Sequence, residues 1–95
     1  MRMIMHVDFP LEPFNTLVRN GTAGAALQKA LNDVKPEAAY FSEENGRRGA
    51  VLIVDVPEAS KIPALAEPFF LTLNATVRFR IAMTPEDLAR GDLES

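Results

Sequence analysis

Four ionisable side chains have the types and the spacing that acid–base chemistry and anion binding require. His6 is the only histidine, and Asp8 follows it by two positions. Arg78 and Arg80 show the same spacing later in the chain. In an extended strand, residues two apart share a face. A carboxylate beside the imidazole would orient it as a general base. Two adjacent guanidinium groups would bind a carboxylate or a phosphate.

Two further side chains complete the set of candidate site residues. Tyr40 is the only tyrosine and would donate a proton or a hydrogen bond to a ligand, and Asp55 would add a second carboxylate. The predicted catalytic residues are His6 and Tyr40, and the predicted ligand-binding residues are Asp8, Asp55, Arg78 and Arg80. A plainer alternative stays open, in which the histidine makes one ordinary hydrogen bond, the arginines neutralise nearby carboxylates and the tyrosine packs its ring.

Metal and cofactor chemistry has little support in the composition. The chain has no cysteine, which excludes disulfides and thiolate-ligated zinc or iron–sulfur clusters. His6, Asp8 and Asp55 offer at most three ligands, and their positions lack a recognised metal-binding spacing. Haem ligation by His6 is the remaining alternative. We therefore predict no metal and no cofactor.

The charge and the hydropathy of the chain limit its partners. Its 95 residues include 10 basic and 13 acidic side chains, which give a net charge of -3. Because duplex binding needs clustered Lys and Arg, nucleic acid is not an expected partner. No apolar run reaches the roughly 18 residues that span a bilayer, and the alternating N-terminal segment is unlike a signal peptide. We expect a single cytoplasmic domain over residues 1–95, with no membrane partner.

Strand and helix patterns follow one another in an informative order. Pro68 lies inside one helical pattern and predicts a kink or a split there. The order β-α-β-β-α-β predicts a ferredoxin-like α+β fold, in which a four-stranded antiparallel sheet carries its helices on one face. The predicted segments are strands over 1–9 and 75–82, a hairpin over 38–56, a helix broken into 12–20 and 22–34, a helix over 58–73, a short helix over about 85–90 and a frayed tail over 91–95.

The Asn-Gly pair at 45–46 is the strongest turn signal in the chain. Both residue types tolerate the positive φ that a type I′ hairpin turn demands. With these two as the loop residues, Glu44 opposes Arg47 and Glu43 opposes Arg48. The register therefore predicts two cross-strand ion pairs on an exposed hairpin.

The period-two pattern sorts the strand residues onto two faces of the sheet. The apolar set must face the helices: Met3, Met5, Val7, Phe9, Phe41, Leu52, Val54, Val56, Val77, Phe79 and Ile81. The opposite face is mixed: Ile4, His6, Asp8, Tyr40, Ser42, Val51, Ile53, Asp55, Arg78 and Arg80. A face open to water need not keep its apolar members. The simplest cover is the same face of a second copy, which gives a two-fold dimer of stacked sheets, the dimeric α+β barrel.

Three segments of the chain resemble a small family of bacterial proteins that has no established activity. They are residues 35–49, with Pro36, Tyr40 and Phe41 before the turn and Gly46-Arg47-Arg48-Gly49 after it, residues 63–70 and residues 83–88. The resemblance covers most of the chain. It implies a short ferredoxin-like protein of the dimeric α+β barrel group, and it implies no activity, cofactor or catalytic residue.

These observations favour a homodimeric α+β barrel that binds a small molecule. If it is an enzyme, the set of residues suits proton transfer, as in an isomerase, or cofactor-independent oxidation of a polarised substrate, as in an oxygenase. His6 would be the base, Tyr40 the hydrogen-bond donor, and Arg78 or Arg80 the anion clamp. The alternative is a non-catalytic module whose sheet face or hairpin serves dimerisation or another interaction.

Overall fold

The order of strands and helices expected from the sequence is the order in the structure, a computed structural model that describes residues 1–91. The first helical connection consists of two helices, as predicted. The frayed tail predicted for 91–95 lies, from residue 92 onward, outside the described residues. The elements are β1 Arg2–Asp8, α1 Phe14–Arg19, α2 Ala23–Val34, β2 Ala38–Glu44, β3 Arg47–Asp55, α3 Ile62–Leu73, β4 Thr76–Ile81 and α4 Pro85–Arg90.

The four strands form one antiparallel sheet in the order β2-β3-β1-β4. β1 and β3 are therefore central, and β2 and β4 are edge strands. In this register His6 lies between Val51 of β3 and Arg78 of β4. The order and the connections are those of the ferredoxin-like α+β fold, which confirms the predicted fold class.

The β2–β3 hairpin has the predicted turn and register. Asn45 has a φ of 53° and Gly46 a φ of 78°, as a type I′ turn requires. Glu43 is paired with Arg48 and Glu44 with Arg47 across the two strands. The carboxylate of Glu43, however, accepts the backbone N–H of Gly46 at 2.8 Å. This bond closes the turn.

A left-handed glycine separates α1 from α2. Gly21 has a φ of 73°, its N–H donates to the carbonyl of Val18 at 3.1 Å, and the N–H of Thr22 donates to the carbonyl of Leu17 at 2.9 Å. These two bonds are the Schellman motif that ends a helix at a residue able to adopt positive φ. The break lets α1 turn Phe14 towards the sheet, where its ring lies 5.2 Å from that of Phe9.

α3 runs through Pro68 without a break. Of the two predicted outcomes, the split does not occur, and the kink stays a prediction. A short 3-10 helix, Ala59–Lys61, precedes α3, and a proline at the second helical position, Pro63, suits its start because the N–H groups of the first turn have no partner within the helix. The inner side of α3 buries Phe69 and Leu73 completely against the sheet.

The core lies between the helices and one face of the sheet. Its most deeply buried side chains come from the two central strands, from Phe9 directly after β1 and from α3, and each contributes about 1.5–3 kcal/mol by leaving water. The residues that are essentially inaccessible are Met5, Val7, Phe9, Leu52, Val54, Phe69 and Leu73. All seven are apolar.

Two residues assigned to the packed face are more exposed than the pattern predicts. Phe41 and Ile81 lie on that face by register, but they are 51% and 58% exposed. Both belong to edge strands, where the cover provided by the helices ends. The alternating pattern assigns these residues to the correct face of the sheet but overestimates their burial. Alternation along a strand carries no information on how far the helices cover that face.

None of the helices described in residues 1–91 is both long and apolar enough to cross a membrane.

Candidate functional site

The face of the sheet that carries no helix brings together three of the six predicted site residues. His6 lies beside Arg78 in the β1–β4 register, and Asp8 lies two residues further along β1. The Nη2 of Arg78 is 3.4 Å from the Oδ2 of Asp8, and both side chains remain accessible to water. The cluster places a cation, a carboxylate and an imidazole on adjacent positions of two strands. We call this face the open face.

The imidazole of His6 is half-buried and makes no side-chain hydrogen bond within residues 1–91. Its neighbours across the two ladders are an apolar side chain, Val51, and the guanidinium-bearing Arg78. A half-buried imidazole with no protein partner has both ring nitrogens available to a ligand. The cluster therefore has the groups needed to accept a proton and to bind the anion that results.

The structure separates Tyr40 from His6. Tyr40 is paired with Val51 on the edge strand β2, so two strand spacings, about 9–10 Å, lie between the Tyr40 and His6 positions. The side chain of Tyr40 is 67% exposed. Within one chain, the two predicted catalytic residues are therefore not neighbours in the sheet.

Arg80 and Asp55 lie towards the other end of the open face. Arg80 is paired with Ile4, which lies two residues before His6 on β1. Asp55 is paired with Arg2 and lies 3.4 Å from the amino group of Met1. Asp55 is four residues beyond Val51 on β3, about 13 Å along the strand. It therefore neutralises the start of β1 and does not join the His6 cluster.

The carboxyl groups with shifted pKa values lie away from the open-face cluster. The hydroxyl of Thr16 donates to Glu12 at 2.6 Å and, with Arg19 nearby, lowers the pKa of Glu12. The backbone N–H of Thr84, followed by the guanidinium of Arg90, lowers the pKa of Asp87. Both shifts belong to helix starts. In residues 1–91, no three potential metal ligands of the His, Cys, Asp and Glu types cluster.

A cleft that the sequence analysis missed lies on the packed side of the hairpin. We call it the hairpin cleft. It measures about 730 Å³ and is lined mainly by apolar side chains, among them Phe9, Phe14, Leu27 and Phe41. Arg48 enters it from β3. This cleft is concave without any second copy, whereas the open face of the monomer is a sheet surface.

The position of Arg48 corrects the prediction of two glutamate–arginine pairs. Its Nη1 donates to the Oδ1 of Asn15 at 2.8 Å, and its guanidinium carbon lies 4.4 Å from the centre of the Phe14 ring. Within residues 1–91 neither Arg48 nor Arg47 forms an ion pair with its register partner. Stacking on an aromatic ring and a hydrogen bond to α1 compete successfully with an exposed ion pair, which contributes little.

The signal for Arg48 was present in the register. Residues 48, 50, 52 and 54 of β3 share the face that packs against the helices. An arginine in that series predicts a cation held at the margin of the core. The aromatic partner, Phe14, could not be predicted, because it depends on how α1 docks.

Asp8 also lines a second cleft, of about 740 Å³, at the end of the sheet near the hairpin turn. Its other walls include Glu44, Arg47 and Thr76. The charged groups here are exposed and of both signs, so the cleft shows no preference for one type of ligand. It does leave one side of the Asp8 carboxylate open to solvent.

The fold is similar to that of a solved enzyme structure. The 5-chloro-2-hydroxyhydroquinone dehydrochlorinase TftG from Burkholderia phenoliruptrix AC1100, solved in complex with 2,5-dihydroxybenzoquinone, has a TM-score of 0.59 and 16% sequence identity, and the match covers 92% of this chain and 99% of that chain. At this identity the likeness shows the fold alone. Comparison with protein-family models found no match, and comparison with curated proteins found none.

Proposed function

We propose that two copies of the chain stack through their open faces and bind a small acidic organic molecule between them. The support is the composition of that face. Ile4, Val51 and Ile53 lie at its centre, on the two central strands and on the side that carries no helix. Covering them with a like surface removes apolar area from water. The charged residues that surround them would then line the space between the sheets.

Charge favours one way of stacking. A two-fold axis parallel to the strands sets β2 of one copy over β4 of the other, so that Tyr40 faces Arg78 and the uncharged Ala38 faces Arg80. An axis across the strands sets β4 over β4 and brings the arginines against their own copies. Like charges facing each other across an interface cost several kcal/mol. We adopt the first arrangement.

The preferred stacking makes the site composite. Within one chain Tyr40 is two strands from His6. In the dimer, Tyr40 of the second copy lies above β4, only one strand from His6, across a sheet separation of about 10 Å. A planar molecule between the sheets would contact both residues. Each site thus takes its base and its anion clamp from one copy and its hydroxyl donor from the other.

The chemistry available to such a site is proton transfer. His6 would take a proton from an acidic C–H or O–H group, and the negative charge left on a substrate oxygen would be stabilised by Arg78 and by the hydroxyl of Tyr40. Return of the proton to a different carbon completes an isomerisation. A cofactor-independent oxygenation begins with the same proton removal. The 2,5-dihydroxybenzoquinone held by the structural neighbour has the acidity and planarity that suit this class.

Titration with 2,5-dihydroxybenzoquinone, followed by calorimetry, tests the proposal. We expect binding to the wild-type protein and a loss of about 10-fold or more in Arg78→Gln, which removes a charge-assisted hydrogen bond. Arg19→Gln on α1 is the matched control and should bind as the wild type does. A dimer that shows no binding would contradict the proposal and favour the non-catalytic interaction module.

Mixing two defective variants tests whether the site is composite. In a heterodimer of His6→Ala and Tyr40→Phe chains, one site keeps an intact His6 and an intact Tyr40. We expect neither homodimer to bind the quinone normally and the mixture, after subunit exchange, to recover binding in the heterodimer fraction. If the site lay within one chain, mixing would recover nothing.

A further inference from the structure

Arg48 is a cation held at the edge of the core without a carboxylate partner in residues 1–91. Its guanidinium stacks on Phe14 at 4.4 Å and uses one N–H to bind the Asn15 side chain. The nearest acidic residue by register, Glu43, has a carboxylate oxygen committed to the Gly46 N–H. A guanidinium has five N–H donors, so most of the donors of Arg48 remain available, and they are fixed in direction.

The surroundings of Arg48 suit an apolar ligand. Large side chains at the mouth of the hairpin cleft, Leu11 and Phe41, are 54% and 51% exposed, and Phe9, Phe14 and Leu27 form its deeper wall. Its volume of about 730 Å³ lies within the range of about 300–1,000 Å³ that is typical of small-molecule sites. A ring placed here would bury apolar surface that the protein alone leaves in water.

We propose that the hairpin cleft binds a small aromatic carboxylate, with its ring among the phenylalanines and its carboxylate on Arg48. The planar guanidinium matches a carboxylate through two parallel hydrogen bonds. The charged residues that line the cleft are Arg47, Arg48 and Glu43, and their net positive charge favours an anionic ligand. This site lies on the side of the sheet opposite to the open face, so it does not depend on the proposed function.

The test uses 2-naphthoate as the probe and its neutral amide, 2-naphthamide, as the ligand control. Amide chemical shifts of the isotope-labelled full-length chain would be followed during each titration. We expect naphthoate to shift the amide signals of Asn15, Phe41 and Arg48, and naphthamide to bind at least about 10-fold more weakly. Arg48→Gln should weaken naphthoate binding by about 10-fold or more. Lys61→Gln removes a positive charge from an exposed position on the 3-10 helix, outside the cleft lining, and should change the affinity less than twofold.

A second variant keeps the test decisive if Arg48→Gln folds poorly. Phe41→Glu alters an exposed side chain on an edge strand, so folding should be retained, and the added carboxylate should abolish naphthoate binding. The proposal would be overturned if naphthoate and naphthamide bound with equal affinity, or if Arg48→Gln and Phe41→Glu both left naphthoate binding unchanged. It would also be overturned if millimolar naphthoate caused no shifts, or shifts confined to the open face. Shifts that depend on protein concentration alone would show instead that a second copy occupies the cleft.

Discussion

At the scale of single residues, stability depends on how completely a side chain is enclosed. Leu52 on β3 is 0% exposed, whereas Leu71 on the outer side of α3 is 82% exposed. We expect Leu52→Ala to lower the free energy of unfolding by about 2–5 kcal/mol, because the lost methyl groups leave a cavity among rigid neighbours. Leu71→Ala removes the same atoms from water-exposed positions and should change the free energy of unfolding by less than about 0.5 kcal/mol.

Chemical denaturation of the two variants would provide this comparison. Equal losses of stability in both would contradict the assignment of the core to the inner side of α3 and the helix-facing side of the sheet.

The residue scale is also where prediction from sequence fell short. The hairpin register predicts Arg48 as half of an exposed ion pair, but its contacts depend on α1, which is distant in sequence. The pattern places Tyr40 and His6 on one face correctly, and their separation follows from the strand order of the predicted fold and not from the pattern itself. Alternation in a strand reports a face, and it does not report which residue of another element comes close.

At the scale of elements, turn chemistry determines the position of the strands. An added Cβ would meet no atom within 4 Å at either Gly24 or Gly46, but only Gly46 has a positive φ, of 78°. We expect Gly46→Ala to destabilise the protein by about 1–2 kcal/mol through backbone strain. Gly24→Ala, at the second residue of α2, should stabilise it by about 0.5–1 kcal/mol. Thermal unfolding of both variants would show whether each substitution raises or lowers the stability. An increase in stability for Gly46→Ala would contradict the type I′ turn.

α4 should respond to acid. Thr84 and Asp87 form a reciprocal capping box, in which each side chain bonds the backbone N–H of the other at 3.1 Å. Since the backbone N–H of Thr84 lowers the pKa of Asp87, the carboxylate stabilises the helix above the ordinary pKa of an aspartate, and that contribution is lost as pH falls through the lowered pKa. The Thr84 amide signal should follow this titration.

Asp87→Asn provides the control for the acid response. Its side chain keeps a hydrogen-bonding oxygen but cannot titrate, so the Thr84 amide signal should show no transition in the same pH range. A transition that persisted in this variant would assign the effect to another group.

Local signals explain why the elements were predictable. The Asn-Gly turn set the β2–β3 register because both residues adopt positive φ, and Gly21 separated α1 from α2 for the same reason. The split predicted as one outcome at Pro68 does not occur, because a helix packed along one side tolerates a missing hydrogen bond. The bounds of helices and strands were therefore predictable where local backbone chemistry determines them, and less predictable where tertiary packing determines them.

At the scale of the whole molecule, the chain is elongated and thin. Its Cα atoms extend over 56 × 28 × 17 Å, with a radius of gyration of 15.3 Å, against about 12 Å for a compact chain of this length. Such a shape exposes much surface relative to its volume. Covering the open face with a second copy would bury the largest continuous area of the sheet that carries no helix.

Disruption of the open face tests the proposed dimer. Val51 lies half-buried at its centre, between Tyr40 and His6. We expect the wild-type protein to be a dimer by light scattering and Val51→Asp to be a monomer, because an unpaired charge at the centre of an interface is costly. Leu71→Asp on the helix layer should stay dimeric. A wild-type monomer at micromolar concentration would remove the stacked-sheet arrangement.

The contact between Phe14 and Arg48 has a consequence for how the molecule opens. α1 has only six residues, too few to persist as a helix without tertiary contacts. Phe14 in the core and the Asn15–Arg48 hydrogen bond attach it to β3. Backbone amides of α1 and of the β2–β3 hairpin should therefore exchange with deuterated solvent as one cooperative unit. A molecule bound between them would slow the exchange of both, which makes α1 a reporter for events at the hairpin.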